Sequence, residues 1–183
     1  MRRSYVLLIA MIVIVLPGAR ALQAAPRSTT TFPVGWNLVG VPAGTRLNGA
    51  VGNLYTRQFR DGSYQALPAG SALTGGLGYW AYFPDGGSAN LTDESICVVA
   101  VPIGAAEWVM VGHPWPSGTV TVRGADRVMT YSRDGGYTPG VTLRPGQAAW
   151  AYSSVATTVA LVVDGCPTAN SVPPSPPIPP PGS

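Results

Sequence analysis

The chain has 183 residues, of which 46% are hydrophobic and only 10% are charged, against about a quarter charged in typical soluble domains. This composition excludes a chain held open by its own charge, and the length allows one ordinary domain or two small ones. The formal net charge of +3 depends on Arg2, Arg3 and Arg20 in a predicted leader, so the rest of the chain is close to neutral. Nucleic acid is therefore not an expected partner.

The first 25 residues have the pattern of a secretory signal peptide. Arg2 and Arg3 precede an apolar run at residues 5–16, and Ala19-Arg20-Ala21 places small residues around a cleavage position. A membrane-spanning helix needs about 20 apolar residues, and this run is shorter. We therefore expect a secreted, extracellular protein that is associated with the cell surface. It would contact a membrane only through the leader, and only where the leader is not cleaved.

Two copies of a unit of about 70 residues follow the leader. The segment GWNLVGVP at residues 35–42 corresponds to EWVMVGHP at residues 107–114, and GYWAYF at residues 78–83 corresponds to AAWAYS at residues 148–153. The tail then changes composition, with seven prolines in residues 172–183, which is typical of an extended spacer. The predicted organisation is a signal peptide (1–25), a short N-terminal segment (26–31), β-repeat 1 (32–98), β-repeat 2 (99–167) and a proline-rich disordered tail (168–183).

Glycine and proline, 23 and 19 residues respectively, interrupt helices and favour short strands, so the predicted fold is all-β. Apolar runs ended by turn residues predict strands at 36–41, 54–60, 79–83 and 88–92 in the first copy, and at 108–112, 128–133, 148–153 and 157–163 in the second. Asp61-Gly62 and Asp134-Gly135 are expected to form type I′ turns, which need positive φ at both residues.

The predicted architecture is two tandem β-meander repeats, each contributing to a small barrel or sandwich. A lone core of one repeat is marginal in size, so we expect the two copies to pack on each other about a pseudo-twofold axis. Two independent beads are the alternative arrangement.

Cys97 and Cys166 are the two cysteines and lie at corresponding positions of the two copies. An even count suits an oxidising compartment and predicts one disulfide that ties the ends of the two copies together. A disulfide that closes a loop of about 70 residues would stabilise the fold by roughly 4 kcal/mol in the chain-entropy model. Two separate buried thiols are the alternative.

With GWNLVGVP followed by GLGYWAYF, the chain resembles repeats of bacterial secreted and cell-surface proteins, in which a Gly-Trp-Asn-Leu strand opens the unit and a Gly-Tyr-Trp strand closes it. The second copy departs from this pattern, with Glu107-Trp108-Val109 at its opening and Ala148-Ala149 before its closing Trp150. The resemblance implies an extracellular bacterial β-module. Such repeats are mostly accessory modules without an assigned reaction, so the resemblance implies no catalytic residues.

Side chains that suit catalysis are few. His113 is the only histidine, and four of the eight acids directly precede glycine, where a role in turns is expected. Asp93-Glu94 is the one adjacent acidic pair, and we interpret it as solvated loop charge. No catalytic residue, metal site or cofactor is predicted, so the chain is not expected to be an enzyme.

Aromatic residues offer the better binding hypothesis. Trp36, Trp80, Trp108 and Trp150 recur at equivalent positions within apolar strands, which assigns them to the repeat cores. Trp115 differs, because it lies in the proline-flanked loop His113-Pro114-Trp115-Pro116 and aligns with Ala43 in the first copy. The candidate ligand-binding residues are therefore Trp115 together with Tyr79, Tyr64 and Tyr137. A Trp115 ring folded back onto its own core is the alternative.

Two functions from different classes follow. The first is a structural or adhesive cell-surface module that contacts a protein, and the second is a carbohydrate-binding module that stacks a polysaccharide on its aromatic rings. A secreted hydrolase has the least support, because no catalytic constellation is present. Oligomeric state is left open.

Overall fold

A computed structural model describes residues 27–57, 63–92 and 97–164. Over these residues the chain is all-β, as predicted, and has no helix, so none that is long and apolar enough to cross a membrane. The strands are β1 (Arg27–Phe32), β2 (Gly35–Gly40), β3 (Leu47–Asn48), β4 (Val51–Arg57), β5 (Tyr64–Pro68), β6 (Tyr79–Phe83), β7 (Gly87–Thr92), β8 (Val98–Ile103), β9 (Glu107–Gly112), β10 (Val120–Arg123), β11 (Arg127–Ser132), β12 (Gly136–Pro139), β13 (Thr142–Leu143), β14 (Gly146–Ser153) and β15 (Thr157–Val163). The predicted signal peptide, the proline-rich tail, Asp61-Gly62 and Cys166 lie outside the described residues.

β1 occupies residues that the sequence assigned mostly to a short segment ahead of the first repeat. It pairs with β7 along its whole length, from Arg27 opposite Thr92 to Phe32 opposite Gly87. The run of three threonines in this segment explains the strand, because β-branched side chains favour extended backbone.

The strands pair in the same order in the two halves of the chain. In the first half β7 lies between β1 and β3, and β6 lies between β2 and β4, with β5 outside β4. In the second half β15 lies between β8 and β10, and β14 lies between β9 and β11, with β12 outside β11. Because β6 and β14 insert between earlier strands of their half, the order differs from that of a simple meander.

One eight-stranded antiparallel sheet runs through both halves. β14 pairs with β2 at Gly146 and Gly40, and a reciprocal bridge joins Leu77 to Val111. β2 and β9 therefore lie end to end at the centre of this sheet, where Gly40 meets Gly112. The halves share this sheet and are not independent beads.

A single apolar core lies between the eight-stranded sheet and two smaller sheets, so the architecture is a sandwich and not a closed barrel. The smaller sheets have the orders β1-β7-β3 and β13-β10-β15-β8. Side chains from both halves enter this core, and the Phe32 and Phe83 rings stack with their centroids 5.1 Å apart. The core is thus continuous across the junction between the halves.

The β11–β12 hairpin forms where it was predicted, but the predicted type I′ turn at Asp134-Gly135 is wrong. Ser132 pairs with Gly136, which leaves a three-residue loop, and the positive φ of 63° falls on Gly136. The Gly135 N–H donates to Ser132 Oγ at 3.2 Å. Three-residue loops place their left-handed residue after the turn, which accounts for the shift of one position.

Candidate functional site

Alternating side chains divide the eight-stranded sheet into a core face and an outer face. On β6, Tyr79, Ala81 and Phe83 are buried in the core, and Trp80 and Tyr82 between them reach the outer face. On β14 the same alternation buries Ala149, Ala151 and Ser153 and leaves Trp150 and Tyr152 on the outer face. We call the outer aromatic set the aromatic face: Trp36, Tyr55, Tyr64, Trp80, Tyr82, Trp108, Tyr131, Tyr137, Trp150 and Tyr152.

Strand register brings these rings together in cross-strand pairs. Trp36 lies opposite Tyr82 with ring centroids 5.4 Å apart, and Tyr131 lies opposite Tyr137 at the same centroid distance. Trp108 and Tyr152, which correspond in the second half to Trp36 and Tyr82, have ring centroids 5.1 Å apart. Directly opposite side chains on one face of a sheet contact each other, so the pairing fixes where each ring stands.

Two further ring contacts cross between the halves. Trp80 meets Tyr131 edge to face at 4.8 Å, and Tyr64 meets Trp150 in the same manner at 6.0 Å. Beneath them lies a small second core formed by Leu38, Met110 and Ala148. The central rings are therefore held from below by packing, while their outer edges stay open to solvent.

The outermost rings of the aromatic face are well exposed. Trp36 is 46% exposed, Tyr64 52% and Tyr137 50%. Exposed aromatic sets of this size are uncommon on soluble proteins, which makes the aromatic face the candidate binding surface among the described residues.

Two shallow grooves run across the aromatic face. The first groove has a volume of about 420 Å³ and is lined by Trp36, Tyr55, Tyr64, Trp80 and Tyr131. The second groove has a volume of about 500 Å³ and is lined by Arg57, Trp108, Arg127, Met129, Tyr137 and Trp150. Each groove contains a side chain from the other half, Tyr131 in the first and Arg57 in the second.

Two positively charged side chains, Arg57 and Arg127, lie among the rings of the aromatic face. Partial burial raises the pKa of the Tyr64 phenol, the nearby Tyr137 raises it further, and Arg57 lowers it. The Arg127 guanidinium lies 6.0 Å from the centroid of the Tyr152 ring, within range of a cation–π interaction. Asp126, beside Arg127, accepts hydrogen bonds from the Ser154 hydroxyl and backbone N–H, which lower the pKa of its carboxyl group.

The predicted ligand-binding residues separate into two pairs. Tyr64 and Tyr137 lie on the aromatic face, as an exposed platform requires. Trp115 is only 5% exposed and Tyr79 only 1%, so the expectation that they form that platform is wrong. The loop around Trp115 folds back against His113, whose ring centroid is 6.2 Å away, and the Tyr79 hydroxyl accepts a hydrogen bond from the Thr74 N–H.

The assignment of four tryptophans to the repeat cores is also wrong. Trp36 is largely exposed, and Trp80, Trp108 and Trp150 are partly exposed on the outer face. The closing strand of each copy is apolar at both alternating sets of positions, so apolar character alone does not show which set enters the core. Small residues at alternate positions, such as Ala81 and Ala151, are the signal in the sequence that marks the core set.

Residues 27–57, 63–92 and 97–164 contain no group of three His, Cys, Asp or Glu side chains placed to hold a metal ion. Comparisons of the chain with protein-family models, with curated proteins and with solved structures find no significant match. The aromatic face is thus interpreted from its own geometry and chemistry.

His113 lies away from the aromatic face, fully buried beside the junction. Its Nδ1 is 2.9 Å from the Trp115 carbonyl oxygen and 3.3 Å from the Trp115 backbone nitrogen, and its Nε2 is buried with no hydrogen-bond partner among the described residues. Burial disfavours the imidazolium and lowers the pKa of His113, although backbone contacts of Trp115 and Gly118 oppose this shift.

This histidine predicts acid sensitivity above the range in which carboxyl groups titrate. The pKa of His113 is lower in the folded state than the value of about 6.5 in the unfolded chain, so its contribution to stability is present above pH 6.5 and is lost as the pH falls. We expect the free energy of unfolding to decrease by up to about 1.4 kcal/mol per pH unit below pH 6.5. Denaturant unfolding at pH 5.5 to 7.5 measures this slope. The His113→Gln protein should lack it, and an unchanged slope in that variant would contradict the assignment.

Proposed function

We propose that this chain is a secreted, non-catalytic module that adheres to polysaccharide through its aromatic face. The observation that carries the proposal is the concentration of ten tryptophan and tyrosine rings on one solvent-facing side of a single sheet. Rings of this type present flat apolar faces and, in tyrosine, a hydroxyl group at the edge. Both features suit a sugar, whose ring has an apolar face and a rim of hydroxyl groups.

The two grooves support a polymeric ligand. Trp36 and Trp108 occupy corresponding positions in them, as do Trp80 and Trp150. Two similar grooves on one continuous sheet match a ligand that repeats the same unit along its length. The two weak contacts would then combine on a single ligand chain and raise the overall affinity.

The extracellular location and the duplication belong to the same proposal. The leader supports secretion, and the identical pairing order of the two halves supports descent from one repeated unit that begins at β1 and again at β8. The resemblance to repeats of bacterial cell-surface proteins is consistent with this location. A cell-wall or plant polysaccharide is the kind of partner that such a protein meets.

A protein partner is the second candidate function, because tryptophan, tyrosine and arginine are the residues that dominate protein interfaces. Such a partner would dock on the aromatic face rather than extend the sheet. β5 and β12, at the two ends of the strand order of this sheet, both end in proline, at Pro68 and Pro139, and proline at these edges limits strand addition there.

Removal of single outer rings tests the proposal. We expect Trp36→Ala and Tyr137→Ala each to weaken polysaccharide binding by about tenfold or more, since each removes a large apolar contact worth about 1.5–3 kcal/mol when fully buried. Isothermal titration with a panel of soluble cell-wall and plant polysaccharides measures the affinity. The Val98→Ala protein is the matched control, because Val98 is 48% exposed and lies on the opposite sheet. Binding that survives both ring substitutions, or no binding across the panel, would contradict the proposal.

A further inference from the structure

The two grooves differ in charge, because Arg57 and Arg127 line the second groove and no charged side chain among the described residues lines the first. On β4, Arg57 lies opposite Tyr64, and on β11, Tyr131 lies opposite Tyr137. Arg57 and Tyr131 each reach the groove of the other half, so Tyr131 keeps the first groove wholly aromatic and Arg57 adds a second guanidinium to that of Arg127 in the second groove. The two halves therefore carry similar grooves that differ in charge.

Arg57 has no carboxylate beside it in the second groove among the described residues. Its Nε is buried and has no hydrogen-bond partner among the described residues. Among the described residues no acidic side chain lines this groove, and its second guanidinium is that of Arg127, which lies 6.0 Å from the centroid of the Tyr152 ring. A guanidinium group with no carboxylate beside it is free to pair with an anionic ligand.

We infer that the second groove is a subsite for an acidic sugar, in which the carboxylate of a uronic acid residue pairs with Arg57 and Arg127 while its ring packs on the neighbouring aromatic side chains. This inference rests on the proposed polysaccharide-binding function and names its ligand class. Arginine suits the role because its planar guanidinium donates two parallel hydrogen bonds to a carboxylate. The first groove then holds an uncharged part of the same polymer.

A phosphate polymer shares the anionic chemistry but fits the face less well. Nucleic acid requires a basic stripe that follows many phosphate groups, and only two arginines line the second groove and none lines the first. The two guanidinium groups match one acidic unit between aromatic contacts. A uronate-containing polysaccharide is therefore the favoured ligand.

The test compares two ligands with the same sugar rings, one with carboxylate groups and one with neutral methyl esters in their place. A hexamer of galacturonic acid and its methyl ester have the same sugar rings, but the ester carries no carboxylate. We expect the acid to bind the full oxidised protein at least about tenfold more tightly than the ester at low ionic strength, as charge-assisted hydrogen bonds predict. We also expect this preference to shrink at high salt.

Variants assign the preference to Arg57. Arg57→Gln should lower the affinity for the acid and bring the ratio of acid to ester affinity towards one, with Arg127 keeping part of the preference. A circular-dichroism spectrum like that of the wild type shows that the variant is folded. Arg57→Lys should keep part of the preference. Arg123→Gln is the matched control, because Arg123 is exposed on the opposite sheet and should have no effect.

The possible outcomes separate the inference from the function beneath it. Equal affinity for acid and ester would overturn the acidic subsite and leave polysaccharide binding intact. A hexathymidylate probe that binds as tightly as the uronate hexamer would assign the groove to phosphate and would also overturn the inference. Failure of both hexamers together with the neutral polysaccharides of the panel would overturn the proposed function as well.

Discussion

Gly40→Ala is expected to lower the free energy of unfolding by about 3 kcal/mol or more, the upper part of the range for overpacked sites. A Cβ at this position would lie 2.4 Å from the Gln147 carbonyl oxygen, the Gly112 Cα and the His113 nitrogen. All three are backbone atoms of the central sheet, so no side chain can rotate away to make room. The two halves would have to separate at the point where β2 meets β9.

The close approach of Gly40 and Gly112 predicts a similar decrease in the free energy of unfolding for Gly112→Ala, whose Cβ would lie 2.3 Å from the Leu77 carbonyl oxygen. Gly140→Ala is the matched control, because the nearest atom to its Cβ is Thr130 Oγ1 at 3.4 Å, an ordinary contact distance. Urea denaturation of the three variants measures the difference. Wild-type stability in Gly40→Ala would contradict the close crossing of the two halves.

Reduction of the predicted disulfide between Cys97 and Cys166 is expected to cost roughly 4 kcal/mol in the chain-entropy model. Val98 pairs with Val162, and the Val163 N–H donates to the Cys97 carbonyl oxygen at 3.3 Å. This register places Cys97 beside a residue only three positions before Cys166. The pairing of β8 with β15 thus supports the bond that the sequence predicts.

Unfolding with and without a reductant measures the contribution of the disulfide. The Cys97→Ser/Cys166→Ser double variant should be destabilised by a similar amount and should no longer respond to the reductant. Thiol titration of the unfolded, unreduced protein should find no free thiol. Two reactive thiols in that titration would contradict the prediction.

Local pattern predicted much of the strand framework. β6 and β15 have the predicted bounds, and most other predicted strands lie within three residues of the observed ones. Glycine and proline mark strand ends by their backbone geometry, which depends little on distant parts of the chain. This independence is why short-range sequence signals were sufficient to locate these strands.

The candidate site could not be predicted in the same way. In YWAYF at residues 79–83, both alternating sets are apolar, and only the position of the second layer shows that Trp80 and Tyr82 face outward. Trp115 was misplaced for a related reason, since flanking prolines indicate a loop but do not show whether the loop folds back onto the core. The pairing of β14 with β2, which unites the grooves on one sheet, is a contact between distant residues with no local signature.

Binding at the aromatic face is tested most directly by the five tryptophan indole N–H signals in a ¹⁵N-labelled sample. Each signal is assigned by single substitution and followed while the protein is titrated with the polysaccharide that binds best. We predict that the signals of Trp36, Trp80, Trp108 and Trp150 shift as binding saturates and that the buried Trp115 signal does not move. Saturable binding that shifts only the Trp115 signal, or none of the five, would contradict the account.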